Sequence, residues 1–151
     1  MIQSPQVDEA QEAWAKAIVH IGNAESWEEA RDRAENTVRE LYVLNDSLLF
    51  CPTKAADTQF RRDLEGAVSY FVGRNEKYPE DMGFALEPWT KVRFENTGVF
   101  CKEDMALAMG NYYFTTRSGA ELKVEFSFAY VDAEDGKLKI QLHHSALPYV
   151  R

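Results

Sequence analysis

The sequence predicts an α+β fold in which amino-terminal helices pack on one face of a curved antiparallel sheet. Three observations carry that expectation. Before about residue 80, apolar residues recur at spacings of three and four, as on one face of a helix. Beyond residue 84 the period falls to two, as in half-buried strands. No internal repeat, low-complexity tract or Pro/Gly-rich linker interrupts the chain, so residues 1–151 are expected to form a single domain.

Taken in order, Ala10, Ala13, Trp14, Ala17, Ile18 and Ile21 form the stripe of a first helix that Gly22-Asn23 ends. Ser26 followed by Glu29 is a capping-box pattern for a second helix, with Trp27, Ala30, Ala34, Val38, Leu41 and Tyr42 on its apolar face. Its polar face, from Glu28 to Glu40, reads as solvated surface. Leu48-Leu49-Phe50-Cys51, stopped by Pro52, reads as a brief buried strand. Asp63 is a plausible N-cap for a third helix carrying Leu64, Ala67, Val68, Phe71 and Val72. Met105 to Thr116 and Leu122 to Val131 flank Arg117-Ser118-Gly119-Ala120 as a hairpin, and Leu122, Val124, Phe126, Phe128 and Tyr130 share one face. Asp132 to Gly136 carries turn chemistry. Lys137 to Ser145 is then a last strand with Leu138, Ile140 and Leu142 on one side. Helices first and a meander afterwards make a sheet that can wrap around a pocket.

Composition narrows the function classes. Seventeen Lys and Arg against 25 Asp and Glu give a formal charge of -8, a field that repels phosphate backbones and anionic membranes. Nucleic acid is therefore a poor partner. No run of 18 apolar residues is present to span a membrane. The segment MIQSPQVDEAQEAWAKAIVH reads as neither a signal peptide nor an arginine-rich transit segment. Cys51 and Cys101 make no CxxC pair, which argues against a disulfide framework or a cysteine zinc site and fits a reducing compartment.

Among side chains that could carry chemistry, the histidines are three, and His20 in the first helix reads as structural or exposed. On a regular strand His143 and His144 point to opposite faces, so a metal site built on the pair is disfavoured. The same alternation sets Gln141, His143 and Ser145 in one row, which is either a solvated outer face or the wall of a cavity. Ser145 and His143 are not a catalytic triad, since no carboxylate stands near to orient the base. Thr53, directly after Pro52, is placed either to cap a turn or to hold a hydroxyl at a pocket rim. Tyr70 lies beside the stripe of the third helix. Glycine-rich phosphate loops, HExxH, EF-hand loops and GxSxG are all missing from the sequence.

The runs MALAMGNYYFTT, ELKVEFSFAYV and DGKLKIQLHHSALPY resemble the calcium/calmodulin-dependent protein kinase II association-domain group of the nuclear transport factor 2-like (SnoaL-like) superfamily. Within it the chain is most similar to the iota-class carbonic anhydrases, whose motif of two histidines, two serines, one residue and a proline stands here as His143-His144-Ser145-Ala146-Leu147-Pro148. Upstream, Leu48 to Thr53 resembles that family's apolar strand ending in Pro-Thr, and Tyr70-Phe71 its helical Tyr-Phe pair. The resemblance runs from about Leu41 to Tyr149.

The resemblance implies a cone-shaped nuclear transport factor 2-like fold, a homodimer or larger homo-oligomer, and reversible hydration of carbon dioxide to bicarbonate. Carried over residue by residue, the catalytic positions are Thr53, Tyr70, His143 and Ser145, with Leu49 and Phe71 on the carbon dioxide side. It implies a metal-free site with no cofactor, with manganese or zinc the metals a chelation experiment would reveal. The compartment implied is bacterial cytoplasm or an algal plastid. Ala146 departs from the motif's second serine, and Glu125 stands where many superfamily relatives carry an arginine. Two other readings stay open. One is a non-catalytic oligomerisation or small-ligand-binding domain of the kinase association type. The other is an isomerase or cyclase, for which Asp46 is the nearest candidate acid.

Overall fold

The computed structural model describes residues 1–133 and 135–151. The turn expected over Asp132 to Gly136 is thus described except at Glu134, which lies outside the described residues.

Helix α1 spans Ser4–Gly22. It is closed at its start by reciprocal bonds between Gln3 and Gln6, and Pro5 fits its first turn, where no amide donor is needed. Helix α2 spans Trp27–Leu41, and the Ser26 hydroxyl accepts from the Glu29 amide at 3.1 Å. Only half of the expected capping box forms. The Glu29 carboxylate accepts from the Glu25 amide instead, and takes an ion pair from Arg33 one turn on. Helix α3, Leu64–Val72, starts as expected at Asp63, whose carboxylate accepts from the Gly66 amide.

The five strands lie in the order β1-β5-β4-β3-β2. β2 (Lys91–Cys101), β3 (Met105–Thr115), β4 (Glu121–Asp132) and β5 (Leu138–Ala146) form an antiparallel meander. β1 (Leu49–Cys51) joins the far edge parallel to β5. A short 3-10 turn, Phe84–Leu86, precedes β2. α1 packs against β2 and reaches β5, while α2 lies between α1 and α3. The core fills the space between helices and sheet, with Ile18, Val38, Phe71, Phe114, Phe126 and Phe128 fully buried. None of the described helices is long and apolar enough to cross a membrane.

Three features depart from the sequence reading, and each has a local cause. β2 was not expected, because its alternation changes phase. Val92, Phe94 and Asn96 pair with inward residues of β3, a bulge between Asn96 and Gly98 inserts one residue, and Val99 and Cys101 then take up the inward positions. Gly110 lies opposite that bulge, where a Cβ would stand 2.2 Å from the Glu95 carbonyl oxygen, so only glycine permits the close approach.

The second departure is in β5. The pairing shifts between Ala129 and Tyr130: Tyr130 faces Ile140 while Ala129 faces Leu142, which leaves Gln141 as the extra residue. Leu138 and Ile140 point inward, Leu142 is displaced outward, and His143 and Ser145 take the inner face after it. The expected row of Gln141, His143 and Ser145 therefore loses its first member, and Leu142 leaves the row of Leu138 and Ile140.

The third is Leu49. The brief strand is an edge, not a buried segment: Leu49 pairs with the outward Leu142 and is 51% exposed, while Phe50 pairs with the inward His143. Strand alternation thus puts Phe50, not Leu49, on the core side.

Candidate active site

β5 brings His143 and Ser145 to the inner face beneath α1 and α2, and the Pro52 corner after β1 delivers Thr53 beside them. Ser145 Oγ lies 2.6 Å from Thr53 Oγ1 and 2.5 Å from Tyr112 Oη. Tyr112 Oη is 3.0 Å from His143 Nε2, and the other ring nitrogen, Nδ1, is 2.9 Å from Tyr42 Oη. Trp14 Nε1 donates to Tyr42 Oη at 2.9 Å. Six side chains from α1, the end of α2, the β1 corner, β3 and β5 thus form one continuous hydrogen-bonded chain. Tyr70, from α3, stands beside it and accepts from the Lys54 amide at 3.1 Å.

Thr53, Tyr70, Tyr112, His143 and Ser145 make the polar wall of a small chamber, and Phe50, Pro52, Phe71 and Phe84 make its apolar wall. The space open to the centre of a water-sized molecule is about 10 Å³, enough for roughly one such molecule. Thr53 alone among the polar five is half-buried rather than buried, so the chamber reaches solvent on its side.

Burial sets the protonation states. His143 is 2% exposed and sandwiched between Phe50 at 4.7 Å and Phe128 at 4.1 Å between ring centres. Loss of water around the charged form pushes its pKa down to about 3, with the neighbouring His144 adding to the shift. Burial likewise pushes the phenols of Tyr42, Tyr70 and Tyr112 well up. At neutral pH the cluster is therefore uncharged throughout.

The corner carrying Thr53 is held from below. Arg61, fully buried, donates to both carboxylate oxygens of Asp81 at 2.7 and 2.8 Å, to the Gly66 carbonyl and to the Thr58 carbonyl. Glu80 accepts from the amides of Ala56, Asp57 and Thr58. Segment 52–63 is in this way tied to the loop beyond α3.

The structure brings together Thr53, Tyr70, Phe71, His143 and Ser145, and leaves Leu49 on the opposite face. Asp46 does not line the chamber. Sequence reasoning missed Trp14, Tyr42, Phe50 and Tyr112. Their signal was present but ambiguous, since a tyrosine or tryptophan in an apolar stripe carries a polar atom that must find a partner inside. Among the described residues no cluster of three or more His, Cys, Asp or Glu could hold a metal ion. His144 points outward, as strand alternation requires.

The sequence profile described as metal-independent carbonic anhydrase matches residues 5–147. A protein of Nostoc sp. named a metal-independent carbonic anhydrase is 37% identical over 153 aligned positions, which cover 98% of this chain and 75% of that one. The crystal structure of an iota-carbonic anhydrase from a cyanobacterium, complexed with bicarbonate, superposes with a TM-score of 0.96 at 36% identity, over 99% of this chain and 94% of that one. A nuclear transport factor 2-like superfamily protein of Salmonella enterica shares the fold alone, with a TM-score of 0.62 at 11% identity over 97% and 91% of the two chains.

Proposed function

We propose that this chain, which belongs to the metal-independent carbonic anhydrase family, carries out reversible hydration of carbon dioxide in the chamber between β5, β3 and the Thr53 corner. One observation carries the assignment to that place. The histidine-serine motif that marks the family supplies a hydroxyl and an imidazole to a chain of hydrogen bonds ending at a space the size of one small molecule.

In this reading Thr53, Tyr70 and Ser145 are the catalytic hydroxyls. They orient the attacking water and hold the oxygens of the bicarbonate that forms, a preorganised set of dipoles that need not rearrange as charge develops. His143 holds the network in place. Phe71 keeps the carbon dioxide side apolar, and Phe50 takes the place that the sequence reading gave to Leu49. Bond formation between water oxygen and carbon yields bicarbonate and one proton. With His143 neutral down to about pH 3 and the phenols pushed up, no member of the cluster takes that proton at neutral pH. It leaves past Thr53 to water or buffer.

Hydration followed by stopped flow tests this. Activity is expected to survive exhaustive chelation, to rise with buffer concentration, and to fall about a hundredfold or more in Thr53→Ala or Ser145→Ala, the usual effect of losing one preorganised donor. Loss of activity on chelation, restored by manganese or zinc, refutes the metal-free reading. Unchanged activity in both variants refutes the site.

The working unit in this reading is a homodimer joined through the outer face of the sheet. Register aligns Phe100, Leu107, Ala129, Leu142 and Leu49 in one apolar row across all five strands. Phe100 is 61% and Leu107 44% exposed, and a second copy would bury both.

A further inference from the structure

We propose that Trp14 and Tyr42 are positioning residues that fix which nitrogen of His143 carries its proton, and through it the direction of the hydrogen bonds that run on to Ser145. The indole of Trp14 is the fixed point of the network. Its nitrogen can donate a hydrogen bond and cannot accept one, so Tyr42 Oη must be the acceptor of the 2.9 Å bond from Trp14. The Tyr42 proton is then free for one other partner. Among the described residues the only one within reach is His143 Nδ1, at 2.9 Å. Nδ1 therefore accepts and carries no proton. A neutral imidazole has one proton, which falls on Nε2.

From there two steps follow: Nε2–H donates to Tyr112 Oη, and the Tyr112 proton goes to Ser145 Oγ. Ser145 and Thr53 then share one proton between their oxygens, donated by either, and keep one to spare. The spare proton, on Thr53 or on Ser145, is left to the side where the chamber and the Tyr70 hydroxyl lie. Tyr70 Oη already accepts from the Lys54 amide, so a phenolic proton remains on it as well. Whichever oxygen takes the spare proton, the chamber is offered at least one hydrogen. It is a site for ligands that present lone pairs, such as the oxygens of a small trigonal oxyanion, and it rejects cations without any positive charge of its own.

The reverse tautomer would strand a proton. With Nδ1–H donating to Tyr42, the Tyr42 oxygen would accept twice, and its own hydrogen would have no acceptor in a fully buried position. Trp14 is also well placed to survive the loss of its N–H. Its ring stacks on Tyr112 at 5.4 Å and meets His143 edge-on at 5.5 Å, contacts that phenylalanine keeps in part.

The consequence for turnover rests on the carbonic anhydrase reading; the tautomer does not. Long-range nitrogen-proton correlation spectra of the nitrogen-15-labelled protein, with His143 assigned by its absence in His143→Gln, read the tautomer directly. The expected wild-type pattern is a protonated Nε2 and an unprotonated Nδ1, unchanged between pH 5 and pH 8. In Trp14→Phe the space the indole leaves can admit a water that takes the Tyr42 proton, and a mixture of tautomers should replace the single one. Bicarbonate affinity should fall about tenfold, the effect of one weakened hydrogen bond to a charged ligand. A wild-type spectrum with the proton on Nδ1 overturns the proposal, and so does a Trp14→Phe spectrum identical to wild type. The wild-type spectrum suffices if Trp14→Phe fails to fold. A protein with the expected spectrum and no hydration activity would refute the catalytic reading and leave this one standing.

Discussion

Acidification from pH 7 to pH 5 should weaken the fold through His143 by about 2 kcal/mol. In the unfolded chain the imidazole titrates at its ordinary value near 6.5, while in the fold burial holds it at about 3. Between those values the unfolded state binds a proton that the native state refuses, so stability falls as pH falls. Each unit of pKa difference is worth about 1.4 kcal/mol, which bounds the full effect near 5 kcal/mol. Over the interval from pH 7 to pH 5 the unfolded imidazole passes from mostly neutral to almost wholly charged, and the share of the effect spent there is about 2 kcal/mol. Urea unfolding at the two pH values measures it, as a midpoint lower by about 1 M at the lower pH for a typical slope. His143→Gln serves as the control. Its absolute stability is expected to drop, and its pH dependence above pH 5 should largely vanish. Equal stability of the wild type at pH 7 and pH 5 would refute the claim that His143 is buried in the neutral form.

The remaining predictions concern the supports of the chamber. Asp81→Ala leaves the buried Arg61 guanidinium without its bidentate partner, so it should cost about 3–5 kcal/mol in denaturant unfolding; a variant as stable as wild type would show that the pair contributes little. Tyr70→Phe removes a hydroxyl from the chamber while keeping the ring stacked on Phe84, so it should lower hydration and leave the thermal midpoint within a few degrees. Gly110→Ala forces a methyl against the Glu95 carbonyl and should destabilise by about 1–3 kcal/mol or more, read by the same unfolding curve. Leu107→Lys places a charge in the exposed apolar row and should convert the proposed dimer to monomer in native mass spectra without loss of circular dichroism.

Helix boundaries and the hairpin were legible because their determinants are local. Ser26 and Asp63 cap the helices they precede, and Arg117 to Ala120 joins β3 to β4. The α+β fold and its family resemblance are likewise borne out by the sheet order and by the relatives. The expected partners His143, Ser145, Thr53 and Tyr70 do meet, although they come from three separate elements. What alternation could not supply is its own interruption. The bulge in β2 hid a whole strand, and the one in β5 exchanged Leu142 for His143 on the inner side. Leu49 was misplaced for a related reason, since a run of four apolar residues does not say which of them face the core. Trp14 and Tyr42 read as apolar stripe in the helical pattern, and their polar atoms acquire meaning only when α1, α2 and β5 are assembled.

Gln141 has a consequence out of proportion to its chemistry. It does not line the chamber, yet it is the extra residue that lets one strand present leucine and isoleucine to the core in its first half and imidazole and hydroxyl to the chamber in its second. With Gln141 in place, unbroken alternation would force a choice on β5, either Leu138 and Ile140 turned to solvent or His143 and Ser145, and the bulge removes that choice. A descendant that lost this one codon would regain unbroken alternation and keep both pairs inward, whereas one that kept the codon and lost the kink would turn one pair out, so the chamber hangs on the parity of that spacing as much as on the letters of the motif.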